Sequence, residues 1–189
     1  MSAGERIAEI LDIAQDKFAG FLAVADNDHK YIHEGKAFSL MGNTGSLTAG
    51  TGKYYFTLLT PPASSGIYIH LRPALIAATA NQMMLQLHEG SVVGSAGSVA
   101  VPVNLNRNSA KLSQAVVRTG AGTVTDGTLL MQWVVGSGSG AQGAGGGAGG
   151  TVERLLKPGT LYTFTITNIG AVTASTGYFE MFYYDETKG

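Results

Sequence analysis

The chain has 189 residues, of which 44% are apolar, and its formal net charge at pH 7 is −1. This length and apolar content can bury a substantial core, so we expect one β-rich domain with a terminal appendage. Charged residues make up only 13% of the chain. A surface so poor in charge offers no field to attract nucleic acid or an anionic membrane, and we expect neither as a partner.

The chain contains no cysteine, which excludes disulfide scaffolds, thiolate zinc sites and cysteine nucleophiles. The scarcity of charge favours a subunit of an assembly over a freely diffusing enzyme, because depletion of charged residues is typical of buried interface cores. We predict no cofactor and no metal site.

The N-terminal residues have the pattern of an amphipathic helix. Ser2 and Glu5 have the spacing of a capping box, and apolar residues then recur every three or four positions, which predicts a helix near residues 4–24. A single helix of this length is marginally stable, so its apolar stripe must be covered. Packing on the chain's own β-domain and docking on a neighbouring subunit both remain open. The stripe contains three predicted partner-binding residues: Ile7, Leu11 and Phe18.

A polar connector, Asp26 to Lys30, is predicted to follow this helix, so that residues 1–34 form an arm and residues 35–189 a β-domain. His29 and His33 stand four residues apart, a spacing that would place two imidazoles on one helical face for a metal ion. The surrounding residues lack the HExxH order of a zinc protease. We interpret both histidines as surface polar residues of the connector.

From Gly35 onward, short β-prone runs alternate with Gly, Asn, Ser and Pro. The predicted strands lie near residues 36–41, 53–60, 66–72, 82–89, 98–105, 112–118, 128–135, 152–156, 160–168 and 177–184. The helical pattern occurs once, so there is no repeated βαβ unit. The predicted fold class is all-β, a jelly-roll or related antiparallel β-sandwich with an N-terminal amphipathic helix.

Two predictions concern the segment around residues 157–168. Lys157-Pro158-Gly159-Thr160 has the composition of a turn in which glycine supplies a positive φ. The strand that follows alternates aromatic or aliphatic residues with threonines, which predicts one buried face and one solvent-facing face.

Residues 136–150 form a glycine-rich tract between two predicted strands. Residues 138–143 match GxGxxG, but more glycine follows in place of the helix that a dinucleotide site requires. We interpret the tract as a loop whose backbone approaches a neighbouring subunit closely. Gly145 and Gly146 are therefore predicted as partner-binding residues.

No catalytic constellation is visible in the sequence. His70 and His88 have no sequence-local third partner, so no triad is predicted. The candidate catalytic acids in the β-region are scarce, and none belongs to a recognised motif: Glu89, Asp126, Glu153 and Glu180. We predict that the protein is not an enzyme.

Polar and aromatic residues suggest binding instead. Arg107, Lys111 and Arg118 form the densest basic cluster, but aromatic stacking platforms for nucleic acid are missing. Hydrogen bonds or ion pairs between subunits are the better interpretation, with Asn106, Arg107 and Asn108 as the predicted contacts. If the pairs Tyr54-Tyr55 and Tyr183-Tyr184 lie on strands, each sends one ring outward, where a glycan or protein could bind.

A series of short motifs resembles one protein family. In order along the chain they are His33-Glu34-Gly35-Lys36-Ala37-Phe38, Asn104-Leu105-Asn106-Arg107-Asn108-Ser109, the glycine-rich tract, Leu156-Lys157-Pro158-Gly159-Thr160-Leu161-Tyr162, Thr167-Asn168 and Phe182-Tyr183-Tyr184. Their order over residues 33–185 is similar to that of virion proteins of tailed bacteriophages. The N-terminal helix lies outside this pattern, and Phe182-Tyr183-Tyr184 replaces a tryptophan-containing ending.

The resemblance implies a jelly-roll or related sandwich that decorates and cements the phage head. It implies that the protein is made in the host cytoplasm, sits on the capsid surface, binds the major capsid protein and forms a homotrimer. The alternative function is a tail or fibre protein that binds a host-surface glycan.

Overall fold

The computed structural model describes residues 27–72, 75–78, 81–136, 144–146, 153–171 and 174–187. Within these residues the regular secondary structure is mostly β. A seven-residue helix, α1 (Asn27–His33), comes first. The strands are β1 (Ala37–Leu47), β2 (Lys53–Leu59), β3 (Ile67–Leu71), β4 (Leu75–Ala78), β5 (Met83–Glu89), β6 (Val92–Val93), β7 (Ser98–Ala100), β8 (Val103–Asn104), β9 (Val116–Thr119), β10 (Val124–Thr125), β11 (Thr128–Val135), β12 (Ala144–Gly146), β13 (Arg154–Leu155), β14 (Leu161–Asn168) and β15 (Ser175–Thr187). A 3-10 turn, Ala63–Ser65, separates β2 from β3.

The strands form two main antiparallel sheets. Sheet A has the order β12-β4-β15-β1-β8, with β3 also beside β15 and β13 beside β3. Sheet B has the order β11-β5-β14-β2-β9-β7, and β6 pairs with β10 in a separate two-stranded ribbon. The predicted all-β antiparallel sandwich is confirmed. The predicted helix at residues 4–24 lies outside the described residues.

The core lies between the two sheets. Phe56 of sheet B stacks on Phe164 of the same sheet and on Phe179 of sheet A, with centroid distances of 4.4 Å in both pairs. All three rings are at most 4% exposed. Burial of such rings is a large apolar contribution, so this stack holds the two sheets together.

The prediction of a half-exposed strand at residues 161–168 is wrong. Thr163, Thr165 and Thr167 are only 0–5% exposed, although they lie on the face of β14 that points away from the core. β14 is an inner strand of sheet B, so side chains of β5 and β2 flank these threonines, among them His88 beside Thr163 and Tyr55 beside Thr165.

The ribbon of β6 and β10 also crosses this outer face. At one end the N–H groups of Gly120 and Ala121 donate to the carbonyl of Tyr55 on β2. At the other end Asp126 Oδ1 lies 3.7 Å from Nδ1 of His88, which is on the outer face of β5. Because β2 and β5 lie on opposite sides of β14, the ribbon passes across β14 and shields its threonines.

Three further segments differ from the sequence predictions. Residues 27–33 form α1, so the part of the predicted connector at residues 27–30 is helical. Residues 144–146 form an edge strand of sheet A, paired with β4, so the loop interpretation of the glycine tract is wrong there. The predicted strand at 98–105 is divided at Pro102, which has no N–H for a sheet ladder; β7 before it belongs to sheet B and β8 after it to sheet A.

The predicted turn before β14 is confirmed. Gly159 has φ +63°, and its N–H donates to the carbonyl of Pro61 at 2.7 Å. Thr60 Oγ1 donates to the carbonyl of Lys157 at 2.7 Å and accepts from the N–H of Thr160 at 2.9 Å. These bonds tie the turn to the end of β2 and fix the register of the following strand.

Candidate functional site

The outer face of sheet B carries an exposed apolar surface, the corner patch, made of Leu59, Val99, Val101 and Val116. Their exposed fractions are 40%, 61%, 72% and 43%. Leu59 is directly opposite Val116 in the pairing of β2 with β9. On β7, Val99 is opposite Arg118, which is two residues from Val116 on the same face of β9. Val101 is two residues beyond Val99, just after β7 ends.

Strand alternation explains why these residues are exposed. Ala100 pairs with Val117 between them, and both of these contact or belong to the core. Arg118 bonds to the carbonyl of Gly97 at 3.2 Å. The patch therefore places aliphatic side chains of β2, β9 and the edge strand β7 close together, a character typical of a protein contact surface.

A second cluster, the histidine clamp, consists of His70, Glu153, Glu186, Tyr31 and Tyr184. His70 contacts Glu153 Oε1 through Nδ1 and Glu186 Oε2 through Nε2, both at 2.6 Å. Tyr31 donates to Glu186 at 2.8 Å and Tyr184 donates to Glu153 at 2.5 Å. The Tyr184 ring stacks on Tyr31 at 4.1 Å and on His70 at 4.6 Å.

The clamp joins four separate parts of the chain. Tyr31 belongs to α1, His70 to β3 and Glu186 and Tyr184 to β15, while Glu153 directly precedes β13. Tyr31 and Tyr184 are only 7% and 2% exposed. The clamp thereby fastens α1 to the outer face of sheet A.

Electrostatics in the clamp follow from these contacts. Burial, with the neighbouring carboxylates, raises the pKa of both Tyr31 and Tyr184 above the ordinary tyrosine value. Burial also acts to raise the pKa of Glu186, but hydrogen bonds from Tyr31 and His70 outweigh it and hold that pKa below its ordinary value. The tyrosines stay protonated donors and Glu186 stays an ionised acceptor.

The clamp does not have the arrangement of a catalytic or metal centre. The two carboxylates occupy opposite ring nitrogens of His70, so the three groups surround the imidazole and do not converge on a common point. Among the described residues, no group of three or more His, Asp or Glu is placed to hold a metal ion.

A cavity of about 320 Å³ opens at the end of β15, on the opposite face of that strand from the clamp. Its lining includes Lys36, Lys111, Gln114 and Asp185. Asp185 is 7% exposed. Its Oδ2 accepts the N–H of Gln114 at 2.9 Å, and its Oδ1 has no hydrogen-bond partner among the described residues. Burial raises the pKa of Asp185 to about 6, although the bond from Gln114 opposes this.

The structure separates the predicted partner-binding residues. Asn106, Arg107 and Asn108 follow β8, at one edge of sheet A, whereas Gly145 and Gly146 lie in β12 at the other edge. Within one chain these two sets do not form a common site. Ile7, Leu11 and Phe18 lie outside the described residues.

The asparagines have intramolecular roles. Asn106 Nδ2 donates to the carbonyl of His33 at 2.9 Å, and Asn104 Nδ2 donates to the carbonyl of Gly35 at 2.9 Å. Asn106 Oδ1 accepts the N–H of Asn108 at 3.1 Å. This loop therefore binds the C-terminal end of α1, while the side chain of Arg107 is exposed.

Sequence reasoning missed the clamp and the corner patch. His70 is 83 residues from Glu153 and 116 from Glu186, so no local motif indicates their contact. The outward tyrosine predicted for the pair Tyr183-Tyr184 is Tyr184, but the clamp buries it. For the corner patch the sequence contained one indication, the alternation of Val99, Val101 and Val103, which is typical of apolar residues on one face of a strand.

Comparison with protein-family models and with curated proteins finds no match for this chain. The fold defines an antiparallel β-sandwich protein. Among the residues that the structure describes, no helix is long and apolar enough to cross a membrane.

Proposed function

We propose that this chain is a non-enzymatic capsid decoration protein of the cement type, which stabilises a tailed-phage head by bridging subunits of the major capsid protein. The corner patch carries the proposal. Its four aliphatic side chains are 40–72% exposed, and three of them lie on one face of the adjacent strands β2, β9 and β7. Covering them in a contact would remove apolar surface from water, and repetition over a shell would multiply a modest contact into strong attachment.

The polar clusters support a structural function as well. Both imidazole nitrogens of His70 are engaged by carboxylates, and the tyrosine hydroxyls of the clamp are engaged too. A general acid or base must reach a substrate proton. These side chains are instead used to attach α1 to the sheet.

The proposal is tested by the copy number of the chain in purified virions and by the attachment of variants to heads that lack it. A cement protein approaches the abundance of the major capsid protein; a few copies per particle would contradict the proposal. Val116→Lys places a charge in the corner patch, and we expect at least about tenfold weaker attachment, since an unpaired buried charge is costly.

Leu155→Lys is the matched control, because Leu155 is 60% exposed but lies on β13 in sheet A. We expect it to attach like the unmodified chain. Equal attachment of both variants, with both folded, would show that the corner patch is not the contact surface.

We further propose that the protein is a homotrimer. The two edges of sheet A present different groups, Gly145 and Gly146 in β12 at one edge and Arg107 beyond β8 at the other. Contact between unlike edges is heterologous, and such contacts close into rings when the rotation permits. Light scattering of the purified chain measures the oligomer mass; a monomer at micromolar concentration would contradict this part.

The alternative, a tail or fibre protein that binds a glycan, has one supporting observation. Tyr178 is 52% exposed on the outer face of sheet A. Tyr184 is unavailable for stacking on a sugar because Tyr31 and His70 cover it. Low copy number together with binding to host envelopes, abolished by Tyr178→Ala, would favour this alternative.

A further inference from the structure

Two exposed histidines on α1 face each other at short range. His29 and His33 are one helical turn apart, and their Nε2 atoms are 2.6 Å from one another. The rings are stacked, with centroids 4.5 Å apart and an interplanar angle of 14°. The Nε2 atoms of the two imidazoles are therefore close neighbours on one side of α1.

We propose that His29 and His33 form a bidentate site for a divalent transition-metal ion, bound through the two Nε2 atoms. Imidazole nitrogen is a preferred ligand of Cu²⁺, Ni²⁺ and Zn²⁺. In the metal-free pair one Nε2 donates a proton to the lone pair of the other. When an ion binds, the donating imidazole changes tautomer: its Nε2–H bond breaks and an Nδ1–H bond forms, with water carrying the proton. Both Nε2 lone pairs then form bonds to the ion, and no net proton is released.

The nitrogen separation favours one coordination geometry. With metal–nitrogen bonds of about 2.0–2.1 Å, two nitrogens in neighbouring positions of a square-planar or octahedral ion lie about 2.9 Å apart, whereas two in a tetrahedron lie about 3.4 Å apart. The observed 2.6 Å is closer to the first value. Cu²⁺ and Ni²⁺, which favour that geometry, require the smaller movement of the rings, and water molecules complete the coordination.

The backbone that carries the two histidines is held in place from both sides. Tyr31, between them in sequence, is stacked on Tyr184 at 4.1 Å and donates to Glu186. The carbonyl of His33 accepts a hydrogen bond from Asn106 at 2.9 Å. Although α1 has only seven residues, its attachment to sheet A fixes the spacing of the ligands before an ion arrives.

Binding has a consequence for α1. The two nitrogens converge only while residues 29 and 33 are helical, so an ion bound to both stabilises the helical conformation over the unfolded one. The ion thus reinforces the segment that connects residues 1–26 to the sandwich. This inference is independent of the corner patch and of attachment to a capsid.

The test is calorimetric titration of the full chain with Cu²⁺ or Ni²⁺, using His29→Gln, His33→Gln and the double variant. Both side chains are exposed, so the variants should fold. Lys30→Gln is the matched control, because it changes the same helix without removing an imidazole. We expect one ion per chain, at least about tenfold weaker binding in each single histidine variant because the chelate is lost, and unchanged binding in the control.

A spectroscopic measurement distinguishes this pair from other nitrogen ligands. The electron paramagnetic resonance spectrum of the Cu²⁺ complex should show coupling to two imidazole nitrogens, and to one in either single variant. Undiminished affinity in the double variant, no saturable binding by the unmodified chain, or coupling to a single nitrogen would each overturn the proposal.

Discussion

Asp185 provides the sharpest test of the electrostatics of this fold. Its carboxyl group is buried, with Oδ2 bonded to the N–H of Gln114 and Oδ1 without a partner. Burial raises the folded-state pKa to about 6 from an ordinary value of 3.8. Between these values the folded chain binds more protons than the unfolded chain, so stability falls as the pH rises and the loss is complete above about pH 6.

The magnitude follows from the shift. A difference of about two pKa units corresponds to about 3 kcal/mol of destabilisation at pH 7.5. At pH 4.5 only about 1 kcal/mol of that cost is present, because most of the folded chains are protonated at Asp185.

Asp185→Asn removes the ionisation and keeps an acceptor for Gln114. Its amide N–H₂ replaces an oxygen that has no partner, so the substitution also brings a cost of about 1–3 kcal/mol that does not depend on pH. This cost is the same at both pH values, so it cancels when the stability difference between the variant and the unmodified chain at pH 4.5 is subtracted from that at pH 7.5. We expect the variant to gain about 2 kcal/mol relative to the unmodified chain on going from pH 4.5 to pH 7.5.

Equilibrium urea unfolding of both chains at the two pH values measures this difference. The m-values should agree, since the exposed surface on unfolding is the same. A stability difference that does not change with pH would refute the assignment of a raised pKa to Asp185. A change of the opposite sign would show that the ionised carboxylate is stabilised, for example by Lys36 or Lys111, which also line the cavity.

Three other predictions address the clamp and the covered face of β14. Tyr31→Ala should increase amide hydrogen exchange in α1 by at least about tenfold, whereas Tyr31→Phe, which keeps the stack on Tyr184, should have a smaller effect. Thr165→Val should be neutral or stabilising by up to about 1 kcal/mol in urea unfolding, because the buried hydroxyl of Thr165 has no partner among the described residues. Thr44→Val should instead cost about 1–3 kcal/mol, because the buried N–H of Gly177 loses its acceptor. Equal effects of the two substitutions would contradict the burial described. The stabilisation from Glu186 should be present above pH 4.5 and disappear as the pH falls through its lowered folded pKa, so unfolding of Glu186→Gln below pH 4.5 should depend less on pH than that of the unmodified chain.

The sequence was sufficient for the fold class and for most long strands because alternation and turn residues are local signals. The strand at 128–135 agrees with the prediction at both ends, and Gly159 has the predicted positive φ. The two-residue ribbon strands β6 and β10 are too short to show a period. For the same reason the sequence did not indicate that the threonines of β14 are covered.

The polar clusters lay beyond sequence reasoning for a different reason. Glu186 bonds to His70 only because β15 pairs with β3, where Tyr184 is opposite His70. That register depends on the whole of sheet A. The contact between His29 and His33 is the exception, since a four-residue spacing is visible in the sequence once residues 27–33 are helical.

The position of β15 in sheet A also determines when the sandwich can form. This strand pairs with β1 along one side and with both β3 and β4 along the other, and it follows all three in the chain. During synthesis, β1, β3 and β4 can pair with β15 only after residues 175–187 have left the ribosome. The pairing of Ala37 with Tyr184 joins residues near opposite ends of the sandwich sequence. Sheet A is therefore completed by its longest-range pairing, and pairing at such sequence separation is a general cause of slow folding.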